Sequence, residues 1–184
     1  MLASSLLKNV ARGPDARRAA TETYQIDRRG SEHRATKQMA AAAVFQQAAR
    51  PRLLVDTTAL LSRLLLPRSV PAQAVRKAVA EGQLLASEAT LEELADVLSR
   101  PRFDRYLTVS ERQQFLRLFM RIAEIVPVLH PVQACRDPRD DKFLALAVNG
   151  QAGVIITGDQ DLLVLDPFRG VRILAPAAYL AQTG

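Results

Sequence analysis

The sequence predicts an α/β fold on a mainly parallel sheet, and three observations carry that expectation. From Arg52 onward short apolar runs alternate with longer amphipathic stretches, the texture of strands buried on both faces and joined by helical crossovers. Two of the runs, "RLLVD" and "VIITGD", end in an acid, at Asp56 and Asp159. Gly82, Pro101 and Gly150 punctuate the amphipathic stretches, as residues do where helices stop.

Taken in order, "RLLV" is a buried strand and "PAQAVRKAVAEG" a helix with Gly82 beyond its end. "QLLAS" is a short strand, and "EATLEELADVLSR" is a helix stopped by Pro101, because the residue before a proline avoids the helical region. "SERQQFLRLFMRIAEI" is an amphipathic helix with Ser110 as its N-cap, and "VPVLH" is an extended segment. "DDKFLALAVNG" is a helix ending at Asn149 and Gly150, "GVIITGD" and "VRILAP" are strands, and "PAAYLAQ" is a closing helix. Internal repeats and low-complexity tracts are absent.

With 184 residues, 48% hydrophobic and 24% charged, the chain has room for one domain and an appendage. A single cysteine, Cys135, excludes an intramolecular disulfide and a cysteine-based zinc site, so a reducing cytoplasm is the expected location. Every apolar segment is interrupted by Arg, Asp or Glu, so none has the length of about 18 residues that spans a bilayer. Of the net charge of +6, residues 1–50 supply most, with nine Lys/Arg against four acids.

That segment reads as a basic, flexible arm with one helix from about Glu32 to Ala49, and residues 51–184 as the domain proper. The apolar core of "MLASSLLKNVARGP" is too short for a secretory signal, and Met39 is an alternative start. If Arg17, Arg18, Arg28 and Arg29 add nonspecific affinity for nucleic acid, deleting residues 1–50 flattens the salt dependence of binding. An unchanged slope in a filter-binding titration would reject that role.

The stretch "RDPRDDKFLALA" carries Asp137, Asp140 and Asp141 at the start of a helix. Acids in a first turn complement the helix dipole and cap free N–H groups. One carboxylate suffices for that, and the repulsion between the adjacent Asp140 and Asp141 is offset if a cation sits among them and other acids. Ligands of open parallel sheets bind outside the carboxyl ends of the strands, where Asp56 and Asp159 fall. Spacing alone does not bring Asp141 to that place.

Four ordered motifs, "LLVDTTALLSRLL", "SEATLEELADVLSRPRF", "CRDPRDDKFLALAV" and "VIITGDQDLL", together resemble the PIN-domain nucleases, specifically the VapC-like branch of toxins from toxin–antitoxin pairs. The resemblance runs from about Arg52 to the C-terminus. It implies a three-layer α/β/α sandwich in which Asp56, Glu93, Asp141 and Asp159 hold Mg²⁺ or Mn²⁺ and cut single-stranded RNA to a 5′-phosphate and a 3′-hydroxyl. Asp140 would bind through water, and Asp137 would serve the turn. It also implies a small antitoxin protein as partner and a homodimer.

Glu93 rather than its neighbour Glu92 precedes a leucine, as the family's glutamate does. Asp161 stands open between a further ligand and a cap. Thr58 and Thr157 have hydroxyls that could orient a ligating carboxylate, and Arg100 and Arg102 in "SRPRF" could touch RNA or a partner. The family usually has Asn where this chain has Thr58, which trades a donor and an acceptor for one hydroxyl and implies weaker support of Asp56.

A haloacid-dehalogenase-like phosphatase would need a second Asp two residues after Asp56, where Thr58 stands. A dinucleotide site would need a Gly-rich fingerprint after the first strand, which is missing. A catalytically weak or inactive PIN-like binding protein is the alternative.

Overall fold

The structure, a computed structural model, describes residues 50–182. The expected helix from Glu32 to Ala49 lies outside them. Five strands form one sheet in the order β3-β2-β1-β4-β5: β1 (Arg52–Val55), β2 (Gln83–Ala86), β3 (Glu124–Ile125), β4 (Val154–Ile156) and β5 (Arg172–Leu174). Every pairing is parallel. Among the described residues seven α-helices connect the strands or follow them: α1 (Thr57–Leu65), α2 (Val70–Glu81), α3 (Glu88–Ser99), α4 (Val109–Ile122), α5 (Asp141–Asn149), α6 (Gln160–Leu163) and α7 (Pro176–Ala181).

Successive strand residues point to opposite faces of a sheet, and this alternation builds two cores. Leu53, Val55, Leu84, Ala86, Ile156 and Leu174 face one side, against Leu60, Leu94, Leu98 and Leu116 of the helices. Leu54, Leu85, Ile155 and Ile173 face the other, against Leu144, Leu146 and Leu162. The result is a three-layer α/β/α sandwich. Leu94, Leu98, Leu144, Leu146, Ile155 and Ile156 are all but sealed from solvent, and each such side chain contributes about 1.5–3 kcal/mol.

Local choices agree with this plan. Ser87 and Thr90 form a reciprocal capping box at the start of α3. At α4 the cap is Thr108, boxed with Glu111, rather than the expected Ser110. Pro101 opens a 3₁₀ turn (Pro101–Phe103) beyond α3. Arg112, the buried arginine of α4, donates to the carbonyls of Leu98 and Leu107 and pairs with Asp104, which ties α4 to the end of α3 and the turn beyond it. Among the described residues no helix is long and apolar enough to cross a membrane.

β3 takes Glu124 and Ile125 from the stretch expected as the end of the preceding helix, just before the extended segment "VPVLH". The Val126 N–H still donates to the Ala86 carbonyl at 2.8 Å, and the ladder stops at Pro127, which has no N–H to give. The following loop then runs to Asp140, where α5 begins. A helix leading back into a parallel strand runs against it, so the start of α5 lies at the carboxyl end of the sheet, with Asp56 and Asp159.

Candidate active site

A cleft of about 1030 Å³ opens at that end of the sheet. One wall is α1 and α3, with Thr57, Thr58, Glu92, Glu93 and Asp96; the other is the loop before α5, with Asp137, Arg139 and Asp140, continued by Lys142. Asp159 completes the acidic lining, and Arg100 and Arg102 stand at the rim beyond α3.

Asp56 is the residue β1 delivers, and it is only 5% exposed. Its Oδ1 accepts from the Ala59 N–H at 2.6 Å, capping α1. Its Oδ2 accepts from the Thr157 hydroxyl at 2.5 Å and from the Gly158 N–H at 3.2 Å. Burial raises its pKa above the usual carboxylate range, the three hydrogen bonds pull it back, and the charge of Asp159 adds to the rise.

Thr157 is fully buried, and its hydroxyl also accepts from the Asp159 N–H at 2.9 Å. One side chain thus aligns both strand-end acids. Thr157→Val removes this bridge at nearly constant volume. The expected outcome is a loss of about 1–3 kcal/mol in urea denaturation. Any activity that depends on the two acids should fall at least about tenfold in a cleavage assay on the folded protein.

Asp159 caps the short helix α6, its Oδ1 accepting from the Asp161 N–H at 2.7 Å. Asp161 itself is drawn to Arg136, whose guanidinium lies 2.6 Å from its Oδ1, and it is not part of the cleft lining. Glu93 is half-buried and paired with Lys142, while Glu92 is exposed. Thr58 lines the cleft from an exposed position. Arg100 is paired with Asp96 at 3.0 Å, and the Arg102 guanidinium lies 4.8 Å from the centre of the Phe103 ring.

The adjacent acids at the start of α5 divide differently from the family carry-over. Asp141 does not line the cleft. Its Oδ1 accepts from the N–H groups of Ala134 and Cys135 at 2.9 and 2.8 Å, so it organises the loop behind the site. Asp140 faces the cleft and makes no capping hydrogen bond. Partial burial, then the charges of Asp159, Asp137 and Glu93, raise its pKa to about 6. Asp137 is clamped by Arg139, which holds its carboxyl down at about 2.

Three charged cleft residues carried no expectation from the sequence: Lys142, Arg139 and Asp96. Lys142 had a visible signal, because it stands in the first turn of α5, where the helix dipole disfavours a cation. A lysine there implies a nearby acid. Arg139 and Asp96 have no comparable signature.

Residues 52–161 match the family model of the PIN domain. The match covers more than half of the chain, and the chain belongs to the PIN-domain family. Proteins of this family are in general nucleases that use divalent metal ions. The chain is 26% identical over 119 residues to the uncharacterized protein MJ1680 of Methanocaldococcus jannaschii, covering 62% of this chain and 74% of that one. It is also similar to a chain in the crystal structure of VapBC2 from Rickettsia felis bound to a DNA fragment from their promoter. There the identity is 10% and the TM-score 0.48, over 67% of this chain and 98% of that one.

The donor set fits a hard divalent cation, since Glu93, Asp140 and Asp159 present carboxylate oxygens alone. In the arrangement described, no three His, Cys, Asp or Glu side chains among the described residues come together closely enough to enclose one ion. Glu93 is turned to Lys142, and both oxygens of Asp56 are engaged by their donors.

Proposed function

We propose that the chain is an endoribonuclease dependent on Mg²⁺ or Mn²⁺, with residues 51–184 as its nuclease domain. The observation that carries this reading is the cleft itself: acids from three separate motifs line it, Asp56 lies behind Asp159, and arginines mark its rim. Glu93, Asp140 and Asp159 would hold the cation directly. Asp56 would complete the set from below, and Asp140 takes the place that the family pattern assigned to Asp141.

When bound, such an ion supplies activation of a water and neutralisation of charge at the scissile phosphate. The chain's own residues do the rest. Thr157 fixes the carboxylate of Asp56 and the backbone of Asp159. Arg100, Arg102 and Arg139 line the cleft with the acids and would engage phosphates on either side of the cut, as planar guanidinium groups do well. The likeness of the motifs to the toxin branch supports a toxin role, with a small antitoxin protein as partner, a homodimeric state and a cytoplasmic setting.

The experiment is calorimetric titration of Mn²⁺ into the full chain, with cleavage of single-stranded RNA followed in the same buffer. Affinity should depend on pH in a definite sense. A carboxyl raised to about 6, as at Asp140, is protonated below that value, so a cation must displace a proton there. The contribution of Asp140 to Mn²⁺ affinity is therefore flat above pH 6 and falls about tenfold per unit below it as its one proton is displaced, and the raised pKa of Asp56 adds to the fall in the same sense. For metal-free stability the sign is opposite. The folded state holds that proton more tightly than the unfolded chain, so this group's contribution is present at low pH and is lost as pH rises toward 6.

A further inference from the structure

We infer that Lys142 is an internal counter-ion of the acid cleft, holding Glu93 in the metal-free protein and giving way when a divalent cation binds. This rests on the reading of the cleft as a metal site. The ammonium is paired with Oε2 of Glu93, 49 residues away on another helix, and both side chains are about three-quarters buried. The same charge lies close enough to Asp140 and Asp137 to favour their ionised forms.

Lys142 thus pairs with Glu93 within the field of Asp140 and Asp137, and it stands on the first turn of α5, where the dipole opposes it. The pairing with Glu93 offsets that placement, together with the Phe143 ring, whose centre lies 5.7 Å from the ammonium. The pairing also accounts for the open state of the cluster, since Glu93 is turned to an ammonium rather than to Asp140 and Asp159.

Lysine suits this role better than arginine would, being a compact charge on a flexible stem that can leave a carboxylate by rotation. A dication at Glu93 and an ammonium on the same carboxylate repel across a few ångströms. At an effective dielectric constant near 20 that repulsion alters affinity by more than about tenfold.

The test uses the full chain and three variants, Lys142→Met, Lys142→Gln as a polar second choice should the first fold poorly, and Lys142→Arg with the charge kept. Mn²⁺ affinity by calorimetry and the metal-free melting temperature at pH 7.5 are the readouts. Lys142→Met and Lys142→Gln should bind Mn²⁺ about tenfold more tightly or better, and melt a few degrees lower without metal. Lys142→Arg should stay near the wild type in melting temperature. Unchanged or weaker Mn²⁺ binding by both neutral variants, beside a wild type that binds, overturns the counter-ion role alone. A wild type that does not bind Mn²⁺ removes the metal-site reading and this inference together.

Discussion

Asp140→Asn should lower metal-dependent RNA cleavage by at least about 100-fold, which is about 2.7 kcal/mol of transition-state stabilisation, while Asp141→Asn should leave most of it. Asp140 faces the cleft, caps nothing, and already sits among Asp159, Asp137 and Glu93. An amide there removes charge from the place where a cation would need it. Because that charge is held against burial and like neighbours, the metal-free Asp140→Asn protein should melt at the same temperature as the wild type or higher at neutral pH.

Asp141 behaves in the opposite way. Its Oδ1 receives two backbone N–H groups of the loop, and an asparagine oxygen can still accept them. Asp141→Ala cannot, and should cost about 1–3 kcal/mol. Urea denaturation beside cleavage, corrected for the folded fraction, separates the two residues. The assignment is wrong if Asp141→Asn is the dead protein and Asp140→Asn the active one.

Asp56→Ala should combine both kinds of loss. The carboxylate caps α1 and takes the Thr157 hydroxyl and the Gly158 N–H, so truncation leaves three donors in a buried place without their acceptor. A lost cap costs about 0.5–2 kcal/mol, and an orphaned buried donor about 1–3. Relief of a buried charge offsets part of this, for a net loss of about 1–3 kcal/mol in urea denaturation. Cleavage should fall at least about 100-fold. Asp56→Asn keeps the cap oxygen but turns an amide N–H toward the Gly158 N–H, so it should recover part of the stability and none of the activity.

Much of the sheet was legible because strands covered on both faces read as apolar runs, as in "LLV", "LLA" and "VII". β3 was not, being two exposed residues at the sheet edge, where no apolar pattern is needed. α1 was hidden for another reason: it begins directly after its cap Asp56, so strand, cap and helix run together without a turn signal. Asp56, Asp159 and the pair Asp140 and Asp141 stood out by their positions at strand ends and a helix start, whereas Glu93, mid-way along α3, was marked only by the family motif. Which of Asp140 and Asp141 faces the cleft could not, because that depends on the amides of Ala134 and Cys135, which a folded loop brings back to Asp141. Thr157 was only a candidate, because threonine is common at strand ends, and its bond to Asp56 depends on β1 and β4 lying side by side. The pairing of Lys142 with Glu93 needed α3 and α5 to be set side by side.

The measurement that tests the central claim most directly is cleavage of a mixed single-stranded RNA pool by the purified full chain with Mn²⁺, with EDTA and Asp140→Asn run in parallel. A nuclease of this kind yields Mn²⁺-dependent fragments bearing 5′-phosphates, absent in EDTA and from the variant. Cleavage that persists in EDTA, or no cleavage by a protein shown to bind Mn²⁺, would contradict that claim.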